Sequence, residues 1–245
     1  MKRTLFLFCG GPAIYGEDLP KPLMPVRPGE SLLRVYLRFL ETQQGRKLTK
    51  VTLLCDDNQE ALFRSELENF DFLVPISIMS CGTNVNTLGK FEVAISTVID
   101  PSLISVFSYP DIFFFGERIE PSEDDLKRNS GVFITAAPLT SRFPSLIIDS
   151  YNNIVKGISN YNSPVPANPH FVFGGELWGR TEAFVSLFRD FKLQVDMPNP
   201  SLEYDFFFWL INQKKMGCTI LHGHRIWVDS SRDVQNLLAR LSKPL

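Results

Sequence analysis

Apolar and polar positions along the chain fall into two alternating registers. Continuous apolar runs read as buried strands at Arg3 to Cys9, Lys50 to Cys55, Leu73 to Ser80 and Asp111 to Phe115, the last ending in Gly116-Glu117. Between them apolar residues recur at helical spacing: Leu32, Leu33, Tyr36, Leu37 and Leu40 first, then Gln59 to Phe70 and Gly89 to Ile99. Asp56 and Asp57 stand where they would cap the second of these helices. Strands alternating with helices predict a parallel sheet covered on both faces, with ligands bound at the carboxyl ends of the strands. Gly10, Asp56, Cys81 and Glu117 fall at those ends.

From Gly131 the pattern shortens. Val132 to Ala137, Ser145 to Ile148, Ile154 to Ile158 and His170 to Phe173 are β-rich runs separated by Pro and Asn, which predict antiparallel strands added to the sheet. Asn160 to Pro169 reads as a surface loop. Arg180 to Phe191 and Leu202 to Lys215 are expected to be helical, Thr219 to Leu221 and Arg225 to Val228 to be strands. Ser231 to Leu241 is expected as a closing helix with Ser230 as its N-cap. The fold class expected is α/β, a single Rossmann-like domain with a mixed central sheet flanked by helices.

Composition narrows the partners. A chain of 245 residues with 44% hydrophobic and 21% charged content has an ordinary globular make-up. Its net charge of −2 and lack of a basic patch argue against nucleic acid and against an anionic membrane surface. Cys9, Cys55, Cys81 and Cys218 lie far apart without zinc spacing, which suits reduced thiols in a cytoplasmic protein. His222 and His224, two apart on a strand, share a face but have no third ligand near them in the sequence. The Phe113 to Phe115 and Phe206 to Phe208 clusters read as core.

The candidate chemistry sits just after the first strand. Gly10 and Gly11 lack Cβ atoms, so the backbone there can turn sharply and offer N–H groups to an anion; the same pair would also serve as a plain turn. Lys21, bracketed by Pro20 and Pro22, is a stiffly held positive charge that could meet that anion.

The order of motifs resembles the sugar-phosphate nucleotidylyltransferases, GT-A-like enzymes. Gly10-Gly11, Pro20-Lys21-Pro22-Leu23, Pro25-Val26, Gly29 and Leu32-Leu33 match the family's opening. Asn86-Thr87-Leu88-Gly89-Lys90 is similar to its nucleotide-base loop, and Asp111 to Glu117 to its metal strand. Gly174-Gly175 resembles the acceptor-pocket glycine pair, and Ser201-Leu202-Glu203-Tyr204-Asp205 the family's SLE-x-D helix start. Trp227-Val228-Asp229 is similar to the last motif, and Asp229 to Asp233 to the version found in glucose-1-phosphate cytidylyltransferases.

The resemblance implies transfer of a nucleotidyl group from an NTP (CTP, UTP or dTTP) to a phosphorylated sugar or similar small acceptor, with release of pyrophosphate, residues 1–130 forming a nucleotide-binding half and residues 131–245 an acceptor-binding half. It makes Lys21 catalytic; Cys9, Gly10, Gly11, Lys21, Asn86, Thr87 and Gly89 nucleotide-binding; Gly174, Gly175 and Glu203 acceptor-binding; and Glu117 and Asp229 the ligands of Mg²⁺. A homo-oligomer stays open. Asp111 reads as a strand-start residue, Asp233 as a first-turn carboxylate favoured by the helix dipole, and Trp178 and Trp227 either as borders of the acceptor pocket or as plain packing. Three departures stand out: Ala13-Ile14-Tyr15 replaces Gly-x-Arg, Glu117 replaces Asp, and Asn160-Tyr161-Asn162 replaces Glu-Lys-Pro, leaving Lys156 and Arg180 as positional substitutes. They keep a second reading open, a related domain that binds nucleotide or regulates without turnover.

Overall fold

Successive apolar runs pair into sheet and the amphipathic segments between them cover it. A computed structural model describes residues 3–10, 19–43, 47–98, 100, 103–117, 120–127, 131–138, 145–149, 154–159 and 171–242. In chain order the elements are β1 (Arg3–Phe8), β2 (Pro25–Arg27), β3 (Glu30–Ser31), α1 (Leu32–Thr42), β4 (Leu48–Cys55), α2 (Glu60–Leu67), β5 (Ile76–Ser80) and α3 (Thr87–Thr97). There follow β6 (Ile104–Ser108), β7 (Ile112–Glu117), α4 (Glu123–Lys127), β8 (Val132–Pro138), β9 (Ser145–Asp149) and β10 (Ile154–Ser159). The chain ends with β11 (Phe171–Arg180), α5 (Thr181–Gln194), α6 (Phe207–Asn212), β12 (Met216–Ile220), β13 (His222–Trp227) and α7 (Ser231–Leu241). The class is α/β with a mixed sheet flanked by helices, as expected. Gly11, Ala13 to Tyr15 and the loop Asn160 to Pro169 lie outside the described residues.

Contacts divide the chain into two units. The first comprises Met1–Val85, Phe107–Phe113 and Ile226–Leu245. Its strands run in the order β5-β4-β1-β6, with β4 parallel to both β1 and β5. Phe8 lies opposite Leu54 and Cys55 opposite Ser80, so Gly10, Asp56 and Cys81 lie just past neighbouring strand ends as the sequence suggested. Helix α1 starts because Ser31 accepts the Arg34 N–H through its hydroxyl at 3.1 Å, and it buries Leu32, Leu33, Tyr36, Leu37 and Leu40. The expected Asp56 or Asp57 cap on α2 is not made. A 3₁₀ turn, Asp57–Gln59, leads into α2, and Asp57 Oδ1 instead accepts the Gly82 N–H at 2.8 Å, tying two loops together.

Strand β6 escaped the sequence reading because Ser105 and Ser108 interrupt its apolar run, yet all of it is buried. Each serine is satisfied: Ser108 shares a hydrogen bond of 3.1 Å with Tyr36 in the first unit, and Ser105 one of 2.8 Å with Thr181 in the second. The four cysteines are buried thiols.

The second unit comprises Asn86–Val106 and Phe114–Arg225, with strand order β6-β11-β8-β12-β10-β9. Here β11 runs antiparallel to β8, β12 parallel to β8, and β10 antiparallel to β12 and β9. Its core is aromatic: Phe91 meets Phe184, Phe188 and Phe206 at ring distances of 5.3, 5.7 and 5.6 Å, and Phe206 stacks on Trp209. The helix expected over Leu202 to Lys215 is a π-helical turn, Leu202–Phe206, followed by the shorter α6. Phe208 is 47% exposed, so it is not the core residue its cluster suggested, whereas Phe206 and Phe207 are.

Strand β7 pairs with β13 in a separate two-stranded ribbon and not in the main sheet. In the second unit a Cβ on Gly116 would stand 2.3 Å from the His222 carbonyl oxygen, so the ribbon closes only because residue 116 is glycine. Glu117 therefore ends a ribbon strand, which corrects its placement among the ends of the main sheet.

Candidate functional site

The proline-bracketed Lys21 opens a 3₁₀ turn, Lys21–Leu23, inside the first unit. Its Nζ donates to Asp111 Oδ2 at 2.5 Å and to Asp229 Oδ1 at 2.5 Å. The side chains of Lys21 and Asp111 are 16% and 12% exposed and that of Asp229 is 46% exposed, so the cluster has one sheltered and one open side. Burial alone would lower the lysine pKa. The Asp111 charge and hydrogen bond, reinforced by Asp229, outweigh it, and the ammonium is held above its ordinary range.

Both carboxylates are themselves positioned. Asp111 lies in a tight turn in which the Ile112 N–H donates to Tyr109 O at 3.2 Å, and its carbonyl accepts the Val228 N–H at 2.9 Å. The Trp227 indole Nε1–H donates to Asp111 Oδ2 at 2.9 Å, and Lys21 Nζ lies 6.0 Å from the Trp227 ring centroid. Asp229 is set by the start of α7: its N–H donates to Asp233 Oδ2 at 3.2 Å, the Ser230 hydroxyl donates to the same oxygen at 2.6 Å, and the Asp233 N–H donates back to Ser230 Oγ at 3.3 Å. Ser230 is the N-cap expected, and Asp233 the first-turn carboxylate.

Of the residues expected at the site, the structure brings Lys21 and Asp229 together. Trp227 belongs to this cluster. Asp111, read from the sequence as a strand-start residue, is instead the more sheltered partner of Lys21; nothing in its spacing announced this, because the contact spans 90 residues. Cys9 and Gly10 follow β1, and Cys9 is wholly buried with its N–H on Leu54 O at 2.8 Å. Glu117 ends β7, but its side chain lies outside the described part of the chain. Among the described residues no three His, Cys, Asp or Glu side chains come together as a metal site. His222 and His224 are exposed on β13.

In the second unit Asn86 is the N-cap of α3: its Oδ1 accepts the Gly89 N–H at 2.9 Å and its Nδ2 donates to Pro200 O at 3.0 Å. Thr87 and Gly89 therefore stand in a capped first turn. Gly174 and Gly175 occupy a register shift of β11 against β8, between Phe173 and Leu177. A Cβ on Gly174 would meet Thr135 Oγ1 at 2.7 Å, and Gly175 takes φ +100°, so both positions require glycine. The Thr135 hydroxyl accepts the Glu176 N–H at 3.0 Å, and the Trp178 Nε1–H donates to Glu176 Oε2 at 3.1 Å. Glu176, 3% exposed beside the glycine pair, is a second residue the sequence reading passed over; a carboxylate directly after a glycine pair in an apolar strand was its signal. Glu203 is half-buried in the π-helical turn, whose N-cap Ser201 accepts the Tyr204 N–H at 3.2 Å. The two positional substitutes for an acceptor lysine are already engaged, Lys156 with Asp149 at 2.9 Å and Arg180 with Glu182 at 2.8 Å.

No family model and no curated protein matches the sequence. Solved structures do match in fold. HddC from Yersinia pseudotuberculosis superposes with a TM-score of 0.68 at 15% identity, over 98% of this chain and 99% of that one. The inositol-1-phosphate CTP transferase from T. maritima gives 0.65 at 13% identity over 100% and 97%. The 4-diphosphocytidyl-2C-methyl-D-erythritolsynthase from Anaerococcus prevotii gives 0.57 at 12% identity over 98% and 96%. A second HddC structure, at 0.67, is complexed with GMP-PN. The chain thus has the fold of the sugar-phosphate nucleotidyltransferases, the fold its motifs implied.

Proposed function

We propose that the protein is a Mg²⁺-dependent nucleotidyltransferase that moves NMP from an NTP to a phosphorylated sugar or similar small acceptor, releasing pyrophosphate. The observation that carries this reading is the convergence on Lys21 of Asp111 and Asp229, from 90 and 208 residues away, in a half-open cluster. In the reaction an acceptor phosphate oxygen attacks the α-phosphorus; that P–O bond forms as the bond to the β-phosphate bridging oxygen breaks, and pyrophosphate leaves with its electron pair. Two anions must approach. The Lys21 ammonium offsets part of their charge, most of all where it peaks between the old bond and the new. Asp229 offers a hard carboxylate oxygen on the open side of the cluster and would hold Mg²⁺ with Glu117. When bound, the ion supplies charge neutralisation at the phosphate oxygens. Asn86, Thr87 and Gly89 would line the nucleotide base with Gly10 and Gly11, and Gly174, Gly175 and Glu203 the acceptor. CTP, UTP and dTTP are the donors to try first. The buried thiols suit the cytoplasm.

One observation favours a second reading, nucleotide binding without turnover: Lys156 and Arg180 are each paired with a neighbouring carboxylate, which lowers their availability to an acceptor phosphate. The test is pyrophosphate release with each of the four NTPs, Mg²⁺ and a panel of phosphorylated sugars and polyols. Turnover with any pair, abolished in Lys21→Ala and Asp229→Ala, supports the enzyme; nucleotide binding with no release for any pair supports the alternative.

A further inference from the structure

Strand β5 is the edge of the sheet in the first unit, and its pairing with β4 shows which backbone groups it leaves over. The Val51 N–H donates to Pro75 O at 3.0 Å and the Cys81 N–H to Cys55 O at 3.0 Å, bracketing a parallel register with Val51 opposite Ile76 and Cys55 opposite Ser80. Ladder bonds of a parallel pair pass through alternate residues of each strand. Ser77 and Met79 therefore turn their amides and carbonyls to β4, and Ile76, Ile78 and Ser80 turn theirs outward. Among the described residues no backbone group takes these outward donors and acceptors. The strand, ISIMS, has none of the devices that keep sheet edges apart: no charge, no proline and no bulge. Strand β9, last in the order of the second unit, is treated differently. It ends in Asp149, ion-paired to Lys156, and besides β10 it pairs with β11 where Leu146 meets Phe171.

Beside the β5 edge lies a groove of about 830 Å³, bordered by α2 and the chain leading into β5. Leu67, Phe70, Leu73, Ile76 and Ile78 give it an apolar lining, and Leu73 is 80% exposed. The Arg34 and Arg38 guanidinium groups each lie 5.6 Å from the Phe70 ring centroid, which fixes that wall. Ser80 Oγ donates to Glu60 Oε2 at 2.6 Å, so Ser80 faces α2, and Ile76 and Ile78, at alternate positions, share that face. The groove also carries both signs of charge, in Arg64 and in the exposed carboxylates of Glu68 and Asp71.

We propose that β5 is a dimer seam: a second copy of this chain adds its own β5 antiparallel to the first, across a two-fold axis at Ile78. In that register Ile76 faces the second copy's Ser80, Ile78 faces its own equivalent, and Ser80 faces the second copy's Ile76. Each of these is an outward-facing position, so every amide and carbonyl that β4 leaves over finds its complement, and two sheets join into one. A two-fold axis also returns the groove's charges in reverse order, bringing Arg64 of one copy toward Glu68 and Asp71 of the other. An extended peptide of one sign would leave the opposite sign unmatched, which favours the second copy as occupant. The groove lies at the amino end of β5, away from the strand ends that Gly10, Asp56 and Cys81 follow, so the seam is independent of the transfer reaction.

The experiment is sedimentation equilibrium of the full chain over a concentration series, joined to amide hydrogen exchange; neither depends on turnover. Expected is a species of twice the 27.9 kDa chain mass that dissociates on dilution. In it the Ile76, Ile78 and Ser80 amides are protected and lose that protection on dilution, while those of Ser77 and Met79 keep theirs through β4. Ile78→Lys sets two ammonium groups against each other on the axis and is expected to weaken the dimer by at least about 10-fold. Ile78→Pro removes an N–H that the single chain does not use, and is expected to give a monomer with an unchanged far-UV circular dichroism spectrum. Arg64→Glu and Leu73→Asp, both at exposed positions, are each expected to weaken the dimer several-fold, which keeps the test open should the proline variant fail to fold. A chain that is monomeric at every concentration would overturn the inference, even if an extended peptide bound the same edge. So would a dimer in which the Ile78 amide exchanges as in the monomer, or one that Ile78→Lys leaves intact.

Discussion

Around Lys21 in the first unit, two carboxylates from 90 and 208 residues away close on one ammonium, whereas around Gly174 and Gly175 in the second unit the shape comes from two absent Cβ atoms and the hydroxyl of Thr135. One region is built from charge and the other from room. Charge gathered on a half-open surface is worth little to stability, since water competes for it, but much to a reaction that concentrates negative charge. A bulge pinned in a packed sheet is the reverse: its fit is felt by the whole fold before any ligand is felt. Substitutions in the two regions should therefore fail in different ways.

The largest effect is expected at the charged cluster. Lys21→Ala and Asp229→Ala should lower turnover by about 10²- to 10³-fold or more, the range for removing one preorganised charge-stabilising group. Their thermal midpoints should move by only a few degrees, since about 1 kcal/mol corresponds to roughly 2–4 °C in a chain of this size. Pyrophosphate release with parallel calorimetry reads both, and a collapse of stability matching the loss of activity would erase the distinction between the regions.

Next comes Gly174→Ala. A Cβ there meets Thr135 Oγ1 at 2.7 Å, Thr135 Cβ at 2.9 Å and Leu221 Cδ1 at 3.0 Å; the leucine end can shift, but Thr135 is short, β-branched and held by the Glu176 N–H. Overpacking of this kind should cost about 2–3 kcal/mol in urea unfolding. Thr135→Val keeps the volume but removes the acceptor of the Glu176 N–H, and should cost about 1–2 kcal/mol in the same measurement. Neutral results at both positions would mean that the bulge is not pinned as described.

The smallest effect is a pH dependence, and its sign follows from two raised pKa values. Lys21 is held above its ordinary range, so its contribution to stability is complete below the unfolded lysine pKa and is lost as pH rises through the folded one. Burial pushes the Cys218 thiol up to about 12, so the folded state keeps a proton that the unfolded state gives up, and stability falls from the ordinary thiol range upward. Urea midpoints followed from neutral to strongly alkaline pH should stay level, then fall in two stages. Cys218→Ala should flatten the earlier stage and Lys21→Met the later.

What could be read from the sequence divides along the same line. Strands β1, β4 and β5, helix α1 and the capped helix α7 were legible because each carries its own apolar period and its own end signals. Lys21 was legible as chemistry because a lysine between prolines is stiffly held beside a glycine pair, and Asp229 because Trp227-Val228-Asp229 resembles a family motif. Asp111 was not, since the pairing that gives it meaning is a contact across 90 residues. Nor was β6, whose two serines look like breaks in an apolar run until Tyr36 and Thr181 supply their partners. The bulge at Gly174 to Glu176 was half legible: the glycine pair marked the place, but only the register against β8 shows that Thr135 fills it and that Glu176 is buried beside it. The Asp56 and Asp57 cap failed because Asp57 found a stronger use, holding the Gly82 N–H.

The most direct test of the account is a crystal structure with Mn²⁺ and a non-hydrolysable nucleoside triphosphate, with the metal located by its anomalous signal. The account expects Lys21 Nζ within hydrogen-bond distance of a phosphate oxygen, still joined to Asp111, and the Mn²⁺ on the carboxylate of Asp229. A triphosphate bound away from Lys21, or a metal placed without Asp229, would contradict it.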